Sequence, residues 1–216
     1  MSAFGYRKPS DLPRDIPLFP LSGALLLPRA GLPLNIFEPR YLNMIDDALA
    51  GERVIGMVQP SDLDFDGPPP LCAVGALGRI TAFAETDDGR YLITLTGVCR
   101  FRITQELNAA KPYRRAIVDY EDFADDLRAL PALIDRDRLL PLLRRYADQR
   151  GYAIDWAAVD SANAETIVNL SAALIPFDPN AKQALLEAPT VEARCDALIA
   201  LLEWGDDDAQ DGRPLQ

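Results

Sequence analysis

Ile16–Ala50 reads IPLFPLSGALLLPRAGLPLNIFEPRYLNMIDDALA, three short apolar runs and a helical segment with a proline at nearly every junction. Pro17, Pro20, Pro28, Pro33 and Pro39 each fix φ and remove a backbone donor, so none of these runs can be a long central strand or a helix interior. Short bent strands are expected instead. Leu32–Phe37 ends at Glu38, and Pro39 occupies a first helical position. Leu42, Ile45 and Leu49 then recur at helical spacing before Gly51. The stretch therefore predicts a strand running directly into a helix, with Leu42, Ile45 and Leu49 facing the core.

The ordered strings PLFPL, LLLP and LPLNIFEPRYLNMI, followed by VGALGRI, GVCRFRI and NLSAALIPFDPNAKQALLEAPT, resemble the substrate-binding (N-terminal) domain family of the Lon ATP-dependent proteases, in its free-standing bacterial form. The resemblance runs from Ile16 to about Glu203. It implies an α+β fold in which a small PUA-like β-barrel lobe precedes an all-helical lobe, and a role in recognising protein substrates.

Composition sets independent limits. A chain of 216 residues with 49% hydrophobic content has ample material for a core. Lys+Arg 22 against Asp+Glu 33 gives a net charge of −11, which opposes extended contact with nucleic-acid phosphates or anionic lipids. An RNA-binding PUA-like domain would need a local basic stripe, and Arg100, Arg102, Arg114 and Arg115 are the clustered arginines available for one. Cys72, Cys99 and Cys195 lie apart in apolar segments and read as buried free thiols. With no apolar run long enough to span a bilayer and no signal core near the N-terminus, the expected location is the cytoplasm, without membrane association.

Along the chain, residues 1–14 lack periodicity and read as a flexible arm, followed by a β-rich lobe over 15–121. Arg53–Gln59 reads as a buried strand. Leu77–Ala84 and Arg90–Thr96 flank Asp87-Asp88-Gly89 as a hairpin whose Asp-Gly supplies positive φ angles, and Gly97 marks a bulge or bend. Tyr113–Tyr120 is the last strand. Composition shifts near Asp122, opening a helical lobe over 122–205 and an acidic tail over 206–216. One helix is entered through Pro141, carries Leu139, Leu143 and Tyr146, and closes at Gly151. A second bears Ile167, Leu170 and Leu174 and stops before Pro176. Asp178-Pro179 and Thr190 cap two more, the last with its stripe running up to Gly205.

The chain has no histidine, which removes Ser-His-Asp and Cys-His catalysis and imidazole ligation together. It has no GxxxxGK[ST] string, and of its lysines, Lys8, Lys111 and Lys182, the first and last lie where solvation would keep the amine charged. No cofactor and no catalytic residue are expected. An alternative is an enzyme using carboxylates and a divalent ion at Asp62, Asp64 and Asp66, which match the first half of a calcium loop. Its twelfth position is Ala73 and not Glu, and a solvated acidic loop is the ordinary reading.

Glu38, Arg40, Arg100 and Arg102 are expected in structural ion pairs, with Arg100 or Arg102 beside Glu38. Substrate contact is assigned to Phe19, Leu34, Phe37 and Tyr41 on the barrel side and Tyr146 and Phe177 on the helical side, where apolar surface would grip unfolded or degron-bearing proteins and peptides. A separate protease or chaperone is a further expected partner.

Overall fold

The structure is a computed structural model that describes residues 3–62, 65, 67–108 and 111–210. Contacts divide the chain into two compact units, Met1–Leu130 and Pro131–Gln216. The first therefore extends beyond the composition shift at Asp122.

In the first unit, strand β1 (Asp15–Pro20) pairs antiparallel with β6 (Arg115–Asp119) through residues 15–17 and parallel with β3 (Val54–Val58) through residues 18–20. Because each half of β1 has one of these neighbours, Pro17 interrupts no two-sided ladder. Strand β4 (Val74–Glu85) joins β3 to the seventeen-residue β5 (Tyr91–Leu107), whose second half pairs with β6. The pairings β5–β4–β3–β1–β6–β5 return on themselves, and β2 (Gly31–Ile36) is added to the first half of β5.

Phe101 fills the middle of this ring with no exposed surface. The glycine at position 75 leaves room for it, since a methyl there would lie 2.6 Å from both Phe101 Cζ and Met57 O. Gly97 has a different task. Its N–H donates to Ala30 O at 2.9 Å and its carbonyl accepts from Arg29 N at 2.8 Å, so the Leu27–Ala30 backbone lies directly on it. A Cβ would fall inside the van der Waals shell of Leu27 O. The expected bulge is present beside it, where Leu77 pairs with Cys99 but Gly78 pairs with Gly97.

Several expectations need correction. Leu25, Leu26 and Leu27 are 2–3% exposed or fully buried, yet form no strand: they are a buried loop, followed by Arg29 and Ala30, whose backbone bonds to Gly97. The hairpin at Asp87–Gly89 exists, but only Gly89 has positive φ (77°), with Gly89 N–H donating to Thr86 O. Within the expected arm, Leu12 is buried, Tyr120 Oη donates to Pro13 O at 2.7 Å, and Val118 N–H donates to Arg14 O.

Helix α1 (Pro39–Ala50) starts at Pro39 as the sequence predicts, but its buried face is Tyr41, Met44, Ile45 and Ala48. Leu42 and Leu49 are half-buried, so the stripe is rotated toward Tyr41, whose ring meets Phe19 at a centroid distance of 4.4 Å. A 3-10 helix at Glu121–Leu127 packs on β5 and completes the unit.

The second unit contains α2 (Arg136–Arg150), α3 (Trp156–Ser161), α4 (Ala164–Leu174), α5 (Pro179–Glu187) and α6 (Val191–Gln210). Asp178 accepts from Asn180 and Ala181 N–H, Thr190 Oγ1 from Ala193 N–H, and Gly151 closes α2 with φ 67°, all at the expected caps. Helix α2 is capped by Asp135, whose carboxylate accepts from Arg138 N–H, and Pro141 lies inside it and not at its entrance. Helix α6 runs past Gly205 to Gln210, because one helical glycine costs only about 1 kcal/mol relative to alanine.

Two buried cations tie α4, α5 and α6 together. Arg194 donates to Asn169 Oδ1 at 2.9 Å and to Leu185 O at 2.8 Å, placing its charge at the negative end of α5. Lys182 Nζ donates to Ala173 O near the end of α4, and burial lowers its pKa.

Candidate functional site

The residues expected to touch substrate fall into two groups, one on each unit. On the first unit, the end of β1, the end of β2 and the start of α1 enclose a cleft of about 210 Å³ lined by Phe19, Leu34, Phe37 and Tyr41. The local chain dictates this. β2 runs into α1 with only Phe37 and Glu38 between them, so Phe37 falls at the turn, where it is 63% exposed. Phe19 and Tyr41 are each 7% exposed and serve as the floor, while Leu34 is half-buried along the strand. Burial raises the Tyr41 pKa, and the Arg40 guanidinium 4.5 Å above its ring opposes that shift.

β2 has one hydrogen-bonded neighbour, β5, and its other edge is unpaired in the sheet order. Beside it, Pro33, Leu34, Phe83 and Leu92 line a shallow apolar depression of about 490 Å³. Phe83 and Leu92 are 44% and 45% exposed. Both escaped the sequence reading; by the register Phe83 shares a face with Ile93 and Leu34, and Leu92 shares the opposite face with Ala84 and Asn35.

On the second unit, Tyr146 lines a cleft of about 680 Å³ with Leu143, Tyr152, Trp156, Leu170 and Leu174. Its hydroxyl is buried and has no hydrogen-bond partner among the described residues. Arg150 lies over the Tyr146 ring and Arg144 over Trp156, at 4.8 and 4.4 Å. Leu170 and Leu174, whose spacing marked the helix, are 41% and 77% exposed on this surface, and only Ile167 of that trio is buried. Phe177 is half-buried between α4 and α5 and does not line the cleft. The i, i+4 spacing of Leu170 and Leu174 was visible in sequence, but spacing alone does not distinguish a core face from a surface one.

All four charged residues singled out form ion pairs, though not the expected ones. Glu38 pairs with Arg40 at 2.8 Å, Arg102 with Asp122 at 3.1 Å, and Arg100 with buried Asp126 at 2.8 Å. Neither arginine meets Glu38, because the 3-10 helix after β6 brings its own carboxylates to β5. Two adjacent aspartates on α1 are likewise engaged: Asp46 accepts from Tyr91 Oη, and Asp47 accepts from Tyr113 Oη at 2.5 Å and pairs with Lys111 at 2.9 Å. These two hydrogen bonds hold the Asp47 carboxyl below its usual range. Of the calcium-like trio, Asp64 and Asp66 lie outside the described residues, and Asp62 is exposed. Among the described residues no group of three or more Cys, Asp or Glu could hold a metal, and no helix is long and apolar enough to cross a membrane.

A closed ring of strands with an added edge strand, followed by a separate helical unit, defines an α+β protein of the Lon N-terminal type. A Lon N-terminal domain protein from Xanthomonas campestris superimposes with a TM-score of 0.62 over 86% of this chain and 97% of its own, at 23% identity. The N-terminal domain of the Mycobacterium avium complex Lon protease gives 0.57 over 89% and 98%, at 17% identity. The chain belongs to the ATP-dependent protease La (LON) substrate-binding domain family, whose model matches residues 15–203. Lon protease 2 of Myxococcus xanthus is 26% identical over 94% of this chain. The chain spans only 13% to 25% of the length of such relatives.

Proposed function

We propose that the chain is a protein-recognition module without catalysis of its own, holding extended apolar segments of unfolded or degron-bearing proteins along β2 and the start of α1. The observation that carries this reading is Phe37, 63% exposed at the turn above a floor of Phe19 and Tyr41, with Leu34 continuing the apolar surface along an unpaired strand edge. An exposed phenylalanine is worth its solvation cost when a partner's side chains cover it. Pro33 limits strand addition at this edge, so side-chain contact dominates over new backbone pairing.

The second-unit cleft around Tyr146 offers further apolar contact of the same kind. No reacting group is assigned: the chain lacks histidine and a phosphate-binding string, and its carboxylates in the described clefts are held by neighbours. The net charge of −11 favours proteins over nucleic acid as partners and keeps an apolar-faced molecule soluble by self-repulsion, consistent with work in the cytoplasm beside a separate protease or chaperone.

A fluorescence titration with an extended apolar peptide, run beside a charge-rich control, tests this. Micromolar-order or weaker binding of the apolar peptide is expected, and preference for the control would overturn the reading.

A further inference from the structure

Three depressions on the first unit share lining residues and so form one track. Leu34 and Asn35 belong both to the apolar depression of Phe83 and Leu92 and to the cleft of Phe19 and Phe37. Pro20, Arg40 and Tyr41 belong both to that cleft and to a third depression of about 680 Å³. The third has a different chemistry. Among the described residues its wall carries three cations, Arg40, Lys111 and Arg114, two tyrosines and no carboxylate.

In a chain of net charge −11 such a concentration is out of proportion to composition. The three cations are held from the side by Glu38, Asp47 and Glu106, in pairs whose members are all partly exposed to solvent. Exposed pairs of this kind are weak and exchange readily, so a ligand carboxylate entering the depression can take over one or more of the cations.

Building on the recognition proposed above, we infer that this track reads a composite segment, an apolar stretch lying over Leu34 and Phe37 with acidic residues adjoining it at Arg40, Lys111 and Arg114. Charge complementarity specifies the occupant: a wholly apolar peptide leaves the cationic end unused, and a basic flank meets like charge there. Long-range repulsion from the acidic surface penalises an acidic partner at a distance, so the preference is local and falls with salt.

The test uses the full chain and three dye-labelled peptides that share one apolar core: uncharged, with three flanking glutamates, and with three flanking lysines. Anisotropy titrations are run in low salt, in about 0.5 M NaCl, and with a Lys111→Gln/Arg114→Gln variant, both positions outside the apolar cleft, whose melting matches wild type. In low salt the glutamate peptide is expected to bind roughly tenfold more tightly than the lysine peptide. That ratio should shrink toward one in high salt and in the variant, while the uncharged peptide binds both proteins alike. Equal binding of the two flanked peptides in low salt, or tighter binding of the lysine one, overturns the inference and leaves apolar recognition standing. Failure of all three peptides to bind overturns the recognition reading itself, and this inference with it.

Discussion

Asp126 is wrapped by Arg100: its carboxylate accepts from Arg100 Nε at 2.8 Å, Nη2 at 2.9 Å and the Arg100 backbone N–H at 2.9 Å. Both side chains are nearly buried, at 4% and 10% exposure, and Phe123 lies under the guanidinium at 4.6 Å. The pair fixes the 3-10 helix to β5. Removing one partner leaves a buried charge, so Asp126→Ala should cost about 3–5 kcal/mol, whereas replacing both by apolar residues of similar size should cost far less. Urea melts of the single and double variants check this, and additive losses would show that the two do not act as a pair.

Gly97→Ala forces a methyl against Leu27 O and should destabilise by at least the ~1–3 kcal/mol typical of overpacking. Gly205→Ala, with open space around its Cβ on α6, should stabilise by up to about 1 kcal/mol. Opposite signs in thermal melts are the expected result.

Met44→Ala and Ile45→Ala remove side chains with no exposed surface and should each cost about 2–5 kcal/mol. Leu42→Ala and Leu49→Ala, half-buried, should cost clearly less. Equal losses across the four would mean that α1 presents another face.

Thiol accessibility and pH give a further check. Burial pushes the Cys195 thiol up to about 11 and Cys99 higher still, while Cys72 is only half-buried. At pH 8 a thiol reagent should modify Cys72 first and the other two only on unfolding. Tyr113 is raised to about 12, first by burial and then by its bond to Asp47. Its folded pKa lies above the unfolded value near 10, so its contribution to stability is present below pH 10 and lost as pH rises toward 12. An ultraviolet titration in which Tyr113→Phe deletes a late tyrosinate step would confirm it; deletion of a step near pH 10 would not.

What sequence made legible was local chemistry. Asp178, Thr190 and Gly151 announce their caps because a side-chain oxygen or a missing Cβ acts within a few residues, and β6 shows its buried Ala116 and Val118 through simple alternation. The family strings carried the fold class. What stayed hidden depends on distant partners. Leu25–Leu27 look like a strand until Arg29 and Ala30 just after them bond to Gly97, and Arg100 looks like a surface residue until Asp126 arrives from a later turn. Tyr41, a polar-tipped residue, takes a core place on α1 because Phe19 lies opposite it. Of the proposed contact surface, Phe19, Leu34, Phe37 and Tyr41 were legible as apolar or aromatic residues, together with Tyr146 and Phe177 on the helices, but their neighbours Phe83, Leu92 and Lys111 come into view only through folding.

The central claim is that exposed apolar side chains at the β2–α1 junction hold protein segments. It is tested most directly by titrating the labelled apolar peptide into Leu34→Ser/Phe37→Ser, two positions whose partial exposure leaves the fold intact, as verified by an unchanged melting profile. The account predicts that affinity falls at least tenfold, matching the loss of roughly 1.4 kcal/mol or more of apolar contact. Wild-type affinity in that folded variant would contradict it.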